Sequence, residues 1–92
     1  MKKIINGKKY DTKTANYIAT REWMDSTVNQ WMQEDLYCKK TGEYFRFDDK
    51  STTWGNINRY TSIVPLTLEE AKKWVEKHIN SRYEELFGQV EE

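Results

Sequence analysis

The chain has a single cysteine, Cys38, and therefore no means of closing an internal disulfide. Cys38 also lacks the neighbouring Cys or His residues that a zinc site needs. One unpaired thiol fits a reducing compartment, so a cytoplasmic location is expected. The only histidine, His78, has no short-range partners for a catalytic triad or a metal cluster. Gly7, Gly42, Gly55 and Gly88 stand far apart, which excludes a glycine-rich phosphate-cradling loop. No segment approaches the roughly 20 apolar residues that span a bilayer, and "MKKIINGKKYD" is too polar for a signal peptide. A soluble protein without cofactor, metal or membrane contact is the expectation. Net charge is missing too, because fifteen basic and fifteen acidic residues cancel. That removes the electrostatic argument for a protein that works mainly by gripping phosphate backbones.

Aromatic rings are what the chain does have. Four Trp, six Tyr and three Phe supply large buried areas, roughly 150–250 Å² each. Disordered chains are poor in such residues. The mean hydropathy of -0.99 therefore accompanies a folded domain with an aromatic core, not disorder. Residues 1–92 make one domain with room for one core and a modest stability margin. Charge is unevenly spread. Lys2, Lys3, Lys8, Lys9 and Lys13 face only Asp11 in the first thirteen residues, and the chain turns acidic from Glu69 onward. A solvated hairpin and a solvated helix account for both runs.

Asn6-Gly7 between "KKII" and "KKY" predicts a hairpin with a type I′ turn over residues 2–10. Asp11 or Thr12 can then cap a short helix through "TKTANYIATREW", where Ala15, Ile18 and Ala19 recur at helical spacing. Residues 20–34 fit both periods, as a helix through Val28 and Met32 or as a strand. "LYCKK-TG-EYFRF" predicts a second hairpin at Thr41-Gly42. "SIVPL" reads as a short strand, confined to an edge or terminus by Pro65. Such an edge offers unpaired backbone groups to a second copy, so a monomer or a weak homodimer is expected. "TLEEAKKWVEKHI" is a helix with a Thr67–Glu70 capping box, a Leu66–Ala71 staple and a stripe of Leu68, Ala71, Trp74 or Val75, and Ile79. Ser81 and Glu84 repeat the box for a last helix, "RYEELF", ended by Gly88. The expected class is α+β: a small antiparallel sheet of two or three hairpins, a short helix in the N-terminal half, and two C-terminal helices.

Chemistry is sparse. His78 lies near a helix C-terminus, where an imidazolium meets the negative end of the dipole favourably. Cys38 reads as a small strand hydrophobe. Asp48-Asp49 lacks the spaced ligands of a calcium loop. The stretch "DDKSTTWGNINRYTS", residues 48–62, is the best lead. It is too polar for a core yet carries Trp54, Asn56, Arg59 and Tyr60, among them the residue types that concentrate interface energy. Either it is a long functional loop, or Gly55-Asn56 is the turn of a third hairpin and folds Trp54 and Tyr60 over the sheet.

The words "MKKIINGKKYDTKTA", "LYCKKTGEYF", "PLTLEEAKKWVEKHI" and "YEELFG" together resemble a family of short proteins from Gram-positive bacteria and their mobile elements. The resemblance covers both ends and the middle hairpin, and leaves 20–34 and 48–62 unmatched. It implies an accessory role on a conjugative element or prophage, a setting in which some small proteins are anti-CRISPR inhibitors, and it brings no catalytic residues. Many such inhibitors are acidic DNA mimics; this neutral chain would bind through aromatic and polar contacts instead.

Three functions follow as expectations. The first is a non-enzymatic protein that binds and inhibits a host defence protein, a type II CRISPR effector nuclease, through Trp54, Asn56, Arg59 and Tyr60. The alternative is a nucleic-acid-binding module. It would stack bases on Tyr37, Tyr44, Phe45 and Phe47 and contact phosphates with Lys8, Lys9, Lys39 and Lys40. An enzyme using Asp48, Asp49 and His78 stands last, because it requires those three to converge.

Overall fold

Asn6 and Gly7 take φ angles of +51° and +75°. Positive φ at both central positions is what a type I′ turn demands, and few residues other than Asn and Gly accept it. The turn joins β1 (Lys2–Ile5) to β2 (Lys8–Asp11) as a separate two-stranded ribbon. The structure, a computed structural model, describes residues 1–52 and 59–91. A four-stranded antiparallel meander follows: β3 (Asn16–Asp25), β4 (Gln30–Cys38), β5 (Tyr44–Thr52) and β6 (Arg59–Leu66), in that spatial order. Two helices close the chain, α1 (Leu68–His78) and α2 (Tyr83–Phe87), joined by a 3₁₀ turn at Asn80–Arg82. The class is α+β, with the sheet dominant. Among the described residues no helix is long and apolar enough to cross a membrane.

The helix expected in the N-terminal half is a strand. Asp11 does organise a local turn, but not a helix: its carboxylate accepts from the Lys13 amide and its carbonyl from the Thr14 and Ala15 amides. The register of β3 against β4 then shifts between Tyr17 and Ala19. This irregularity interrupts the two-residue period, so the consecutive residues Ile18 and Ala19 both pack against the α1 cluster. Apolar neighbours side by side imitate helical spacing. Residues 20–34 are the rest of this hairpin, turning at Ser26–Asn29, with Asn29 at φ +50°.

The hairpin at Thr41-Gly42 forms as its turn residues suggest. Gly42, at φ +94°, lies in the β4–β5 connection, with its amide bonded to the Lys39 carbonyl at 2.8 Å. Residues 48–62 are largely the third hairpin, since β5 and β6 stay paired out to Ser51 and Arg59. Trp54, Gly55 and Asn56, and with them the expected Gly55-Asn56 turn, lie outside the described residues. Pro65 sits on the edge strand β6, where a missing amide donor is tolerated.

Among the described residues, each face of the sheet is covered at one end only. On one face β1–β2 folds over Phe45 and Ile63, and Tyr10 meets Phe45 edge-on at 5.5 Å. On the other, Trp74 and Val75 of α1 bury Leu36. Phe45 and Leu36 are fully buried because a layer lies above and below this part of the sheet.

The capping box of α1 is present. The Thr67 amide donates to Glu70 Oε1 at 2.9 Å, and the Glu70 amide to Thr67 Oγ1 at 3.1 Å. The buried stripe is Ala71, Trp74 and Val75, whereas Leu68 is 52% exposed. Leu68 belongs to the first turn, just past the end of edge strand β6, where the sheet below it stops. No Ser81 capping box forms. The chain leaves α1 through the 3₁₀ turn, and Arg82 takes the N-cap position of α2 while its side chain binds Glu85 and the Ile18 carbonyl.

Candidate functional site

Strand β3, at ten residues, runs about 33 Å at roughly 3.3 Å per residue. Helix α1, at eleven residues, is only about 16 Å long. The helix therefore cannot cover the sheet, and the longest dimension of the molecule is 48 Å. The antiparallel order places the β3–β4 turn, the end of β5 and the start of β6 at the same end, opposite to the β4–β5 turn where α1 begins. That first end projects free of both covering layers.

Side chains cross the sheet in rows fixed by the register. On the helix side, Ala19, Leu36, Arg46 and Val64 form the row beneath α1. The next holds Arg21, Glu34, Asp48 and Ser62. It is a charged boundary. Arg46 binds Asp48 in a two-point contact at 2.6 and 2.9 Å, and Asp48 is nearly buried. Glu34 accepts from the Trp74 indole at 3.0 Å and from Arg21 at 3.3 Å. Arg21 also reaches His78 Nε2 at 3.2 Å and lies 3.8 Å from the centre of the Trp23 ring. Since an arginine cannot accept, the imidazole Nε2 is the acceptor and is neutral. Burial, and then the Arg21 charge, hold His78 below its ordinary pKa, against a smaller opposing pull from Glu34. The imidazolium expected at the helix terminus is thus corrected to a neutral ring, first through burial and then through the adjacent Arg21 charge.

Beyond this boundary neither the ribbon nor the helices cover the sheet, among the described residues. The row Trp23, Met32, Lys50, Tyr60 crosses the helix side, and Met24, Trp31, Ser51, Arg59 cross the opposite side. Met24, Val28, Trp31 and Tyr60 are exposed here, Tyr60 at 61%. Trp23-Met24 and Trp31-Met32 are the same dipeptide on paired strands, so each Trp stands opposite a Met and both faces receive one of each. The β3–β4 turn is braced by Asp25, whose carboxylate accepts from the Thr27 hydroxyl at 2.6 Å and its amide at 3.1 Å. These bonds also hold the Asp25 pKa low.

Of the expected partner-binding residues, Arg59 and Tyr60 lie on this free end, on opposite faces. Arg59 is solvent-exposed but tied to Asp49 by contacts of 2.6 to 3.1 Å. Trp54 and Asn56 lie outside the described residues. Residues missed in the sequence are Met24, Val28 and Trp31. Their signal was the repeated Trp-Met dipeptide, hidden while the helix-or-strand choice for 20–34 stayed open.

Lys8, Lys9, Lys39 and Lys40 do come together. They line a groove of about 350 Å³ between the ribbon and the β4–β5 turn. Glu43 sits among them, 3.0 Å from Lys8 and 3.7 Å from Lys39. That contact lowers the Glu43 pKa and raises that of Lys8. The aromatic platform expected beside them does not exist. Phe45, Tyr37 and Phe47 pack beneath the ribbon, while Tyr44 turns to the other face and meets Phe87 at 5.6 Å. Asp48, Asp49 and His78 do not converge either, because neighbouring strand residues face opposite sides; each carboxylate is held by its own arginine. Among the described residues no three Asp, Glu, His or Cys side chains gather as a metal cluster.

Against protein-family profiles, curated proteins and solved structures, the chain finds no significant match.

Proposed function

We propose that this protein is a non-catalytic inhibitor that binds a host defence protein, a type II CRISPR effector nuclease, through the free end of its sheet. The observation that carries the reading is the exposure of Met24, Val28, Trp31 and Tyr60 at the β3–β4 end of the sheet, which among the described residues neither the ribbon nor the helices cover. A small domain gains nothing in stability from large rings left in water, whereas Trp, Tyr and Arg dominate the energetics of interfaces. The resemblance of the two termini to short mobile-element proteins supplies the setting and the class of partner.

The test mixes the protein with a guide-loaded type II nuclease and its cognate duplex. Target cleavage is expected to stop, and the nuclease to be captured by the immobilised protein. Trp31→Ala and Tyr60→Ala are each expected to weaken capture by about 2 kcal/mol, roughly thirty-fold, at unchanged thermal midpoint. Trp54→Ala and Arg59→Ala belong in the same series. Unimpaired cleavage together with absence of capture would remove the reading.

A further inference from the structure

Neutral overall charge conceals a strongly segregated molecule. Residues 1–15 and 39–43, far apart in sequence, meet at the end of the sheet opposite to the free one. Seven of the fifteen basic residues lie in these two segments, against only Asp11 and Glu43 of the fifteen acidic ones. This end carries a formal charge of +5 and the remainder −5. We propose that the ribbon end is a docking surface for the phosphate backbone of duplex nucleic acid, independent of the site on the free end.

Three features narrow the ligand. First, the groove is edged by lysines and by the hydroxyl residues Thr14 and Thr41. Lysine and hydroxyl donors suit phosphate oxygens. Second, among the described residues no aromatic side chain lines the groove, and Tyr10 nearby is buried beneath the Lys39 ammonium, which sits 3.6 Å from its ring centre. Single strands are held largely by stacking on exposed rings, so a duplex backbone is the better match. Third, seating on an anionic bilayer needs an apolar face to insert. On the outward side of the ribbon, Ile4 stands alone among Lys2, Lys9 and Asp11.

Glu43 gives the site its regulation. Its carboxylate occupies the position between Lys8 and Lys39 that a phosphate would take, and Thr41 donates to the same group at 3.3 Å. Among the described residues Lys9 and Lys40 have no ion-pair partner, so they make first contact while Lys8 and Lys39 exchange Glu43 for phosphate. This predicts opposite effects from removing a lysine and removing the glutamate, which a purely structural role for the cluster does not.

The experiment follows a fluorescently labelled duplex by anisotropy between about 50 and 200 mM salt. With about four phosphate contacts the logarithm of affinity falls with a slope near −3 to −4, roughly a hundredfold across that range. Lys9→Glu with Lys40→Glu is expected to weaken binding at least about tenfold and to flatten the slope by about 2. Glu43→Gln is expected to strengthen binding several-fold, and Trp31→Ala to leave it unchanged. No binding at the lowest salt overturns the proposal, as does binding indifferent to both lysine and Glu43 changes. Preference for a single strand of equal length, or for vesicles containing anionic lipid over the duplex, also overturns it. Loss of duplex binding in Trp31→Ala would do so as well, whereas failure to inhibit a nuclease bears only on the free-end reading.

Discussion

Single side chains carry most of the electrostatic risk in this fold. Asp48 and Glu34 are tolerated beneath the end of α1 because Arg46 and Arg21 answer them. Removing one partner from such a set leaves an uncompensated charge in poor solvent. Arg46→Met is expected to cost about 3 kcal/mol, measured by urea unfolding. His78 gives stability a dependence on pH. Its pKa is lowered on folding, so the unfolded chain binds the extra proton as pH falls through about 6.5 and below. Stability is therefore full above that range and declines on acidification. His78→Gln is expected to flatten this part of the profile, read as thermal midpoint against pH. Phe45→Ala, which empties a site enclosed from both faces, is expected to cost about 3–5 kcal/mol in the same unfolding assay.

At the scale of elements, those with strong local punctuation were legible and those set by pairing were not. Asn6-Gly7, Thr41-Gly42 and the Thr67–Glu70 box each fix a boundary through backbone geometry or an amide's need for an acceptor. Thr67→Ala is expected to cost about 1 kcal/mol, seen as a small fall in the urea midpoint. Strand β3 escaped because the irregularity at Ile18 sets two apolar residues side by side, and only the partner strand β4 makes that arrangement extended. Leu68 was misplaced for a related reason. Helical periodicity gives a direction around the axis, but not whether anything lies beneath that turn. The Ser81 box failed because Arg82, drawn to the Ile18 carbonyl, draws the start of α2 with it.

For the whole molecule, the division into a covered half and an uncovered half matters most. A ribbon of two four-residue strands and a helix of eleven residues are too short for a sheet whose strands reach ten. The covered half holds both core clusters, and the bare half holds exposed rings. Truncations at Trp31 or Tyr60 should therefore alter binding without altering folding, and comparison of nuclease capture with thermal midpoint separates the two. Part of the candidate surface was visible beforehand. Arg59 and Tyr60 were selected for residue type, while Met24, Val28 and Trp31 needed the β3–β4 register to join them.

The sequence by itself determined an α+β domain, the tight turns at Asn6-Gly7 and Thr41-Gly42, and a capped amphipathic helix. Each follows from interactions spanning a few residues, which the chain order already supplies. The core it led one to expect as aromatic instead mixes Tyr10, Phe45 and Trp74 with Leu36, Ile63, Ala71 and Val75. Tertiary structure alone decided that residues 16–25 are extended, that Glu43 lies between lysines 35 and 4 positions away, and that neither the ribbon nor the helices reach one end of the sheet. These depend on strand register and on the relative lengths of packed layers, quantities that exist only once distant segments are side by side.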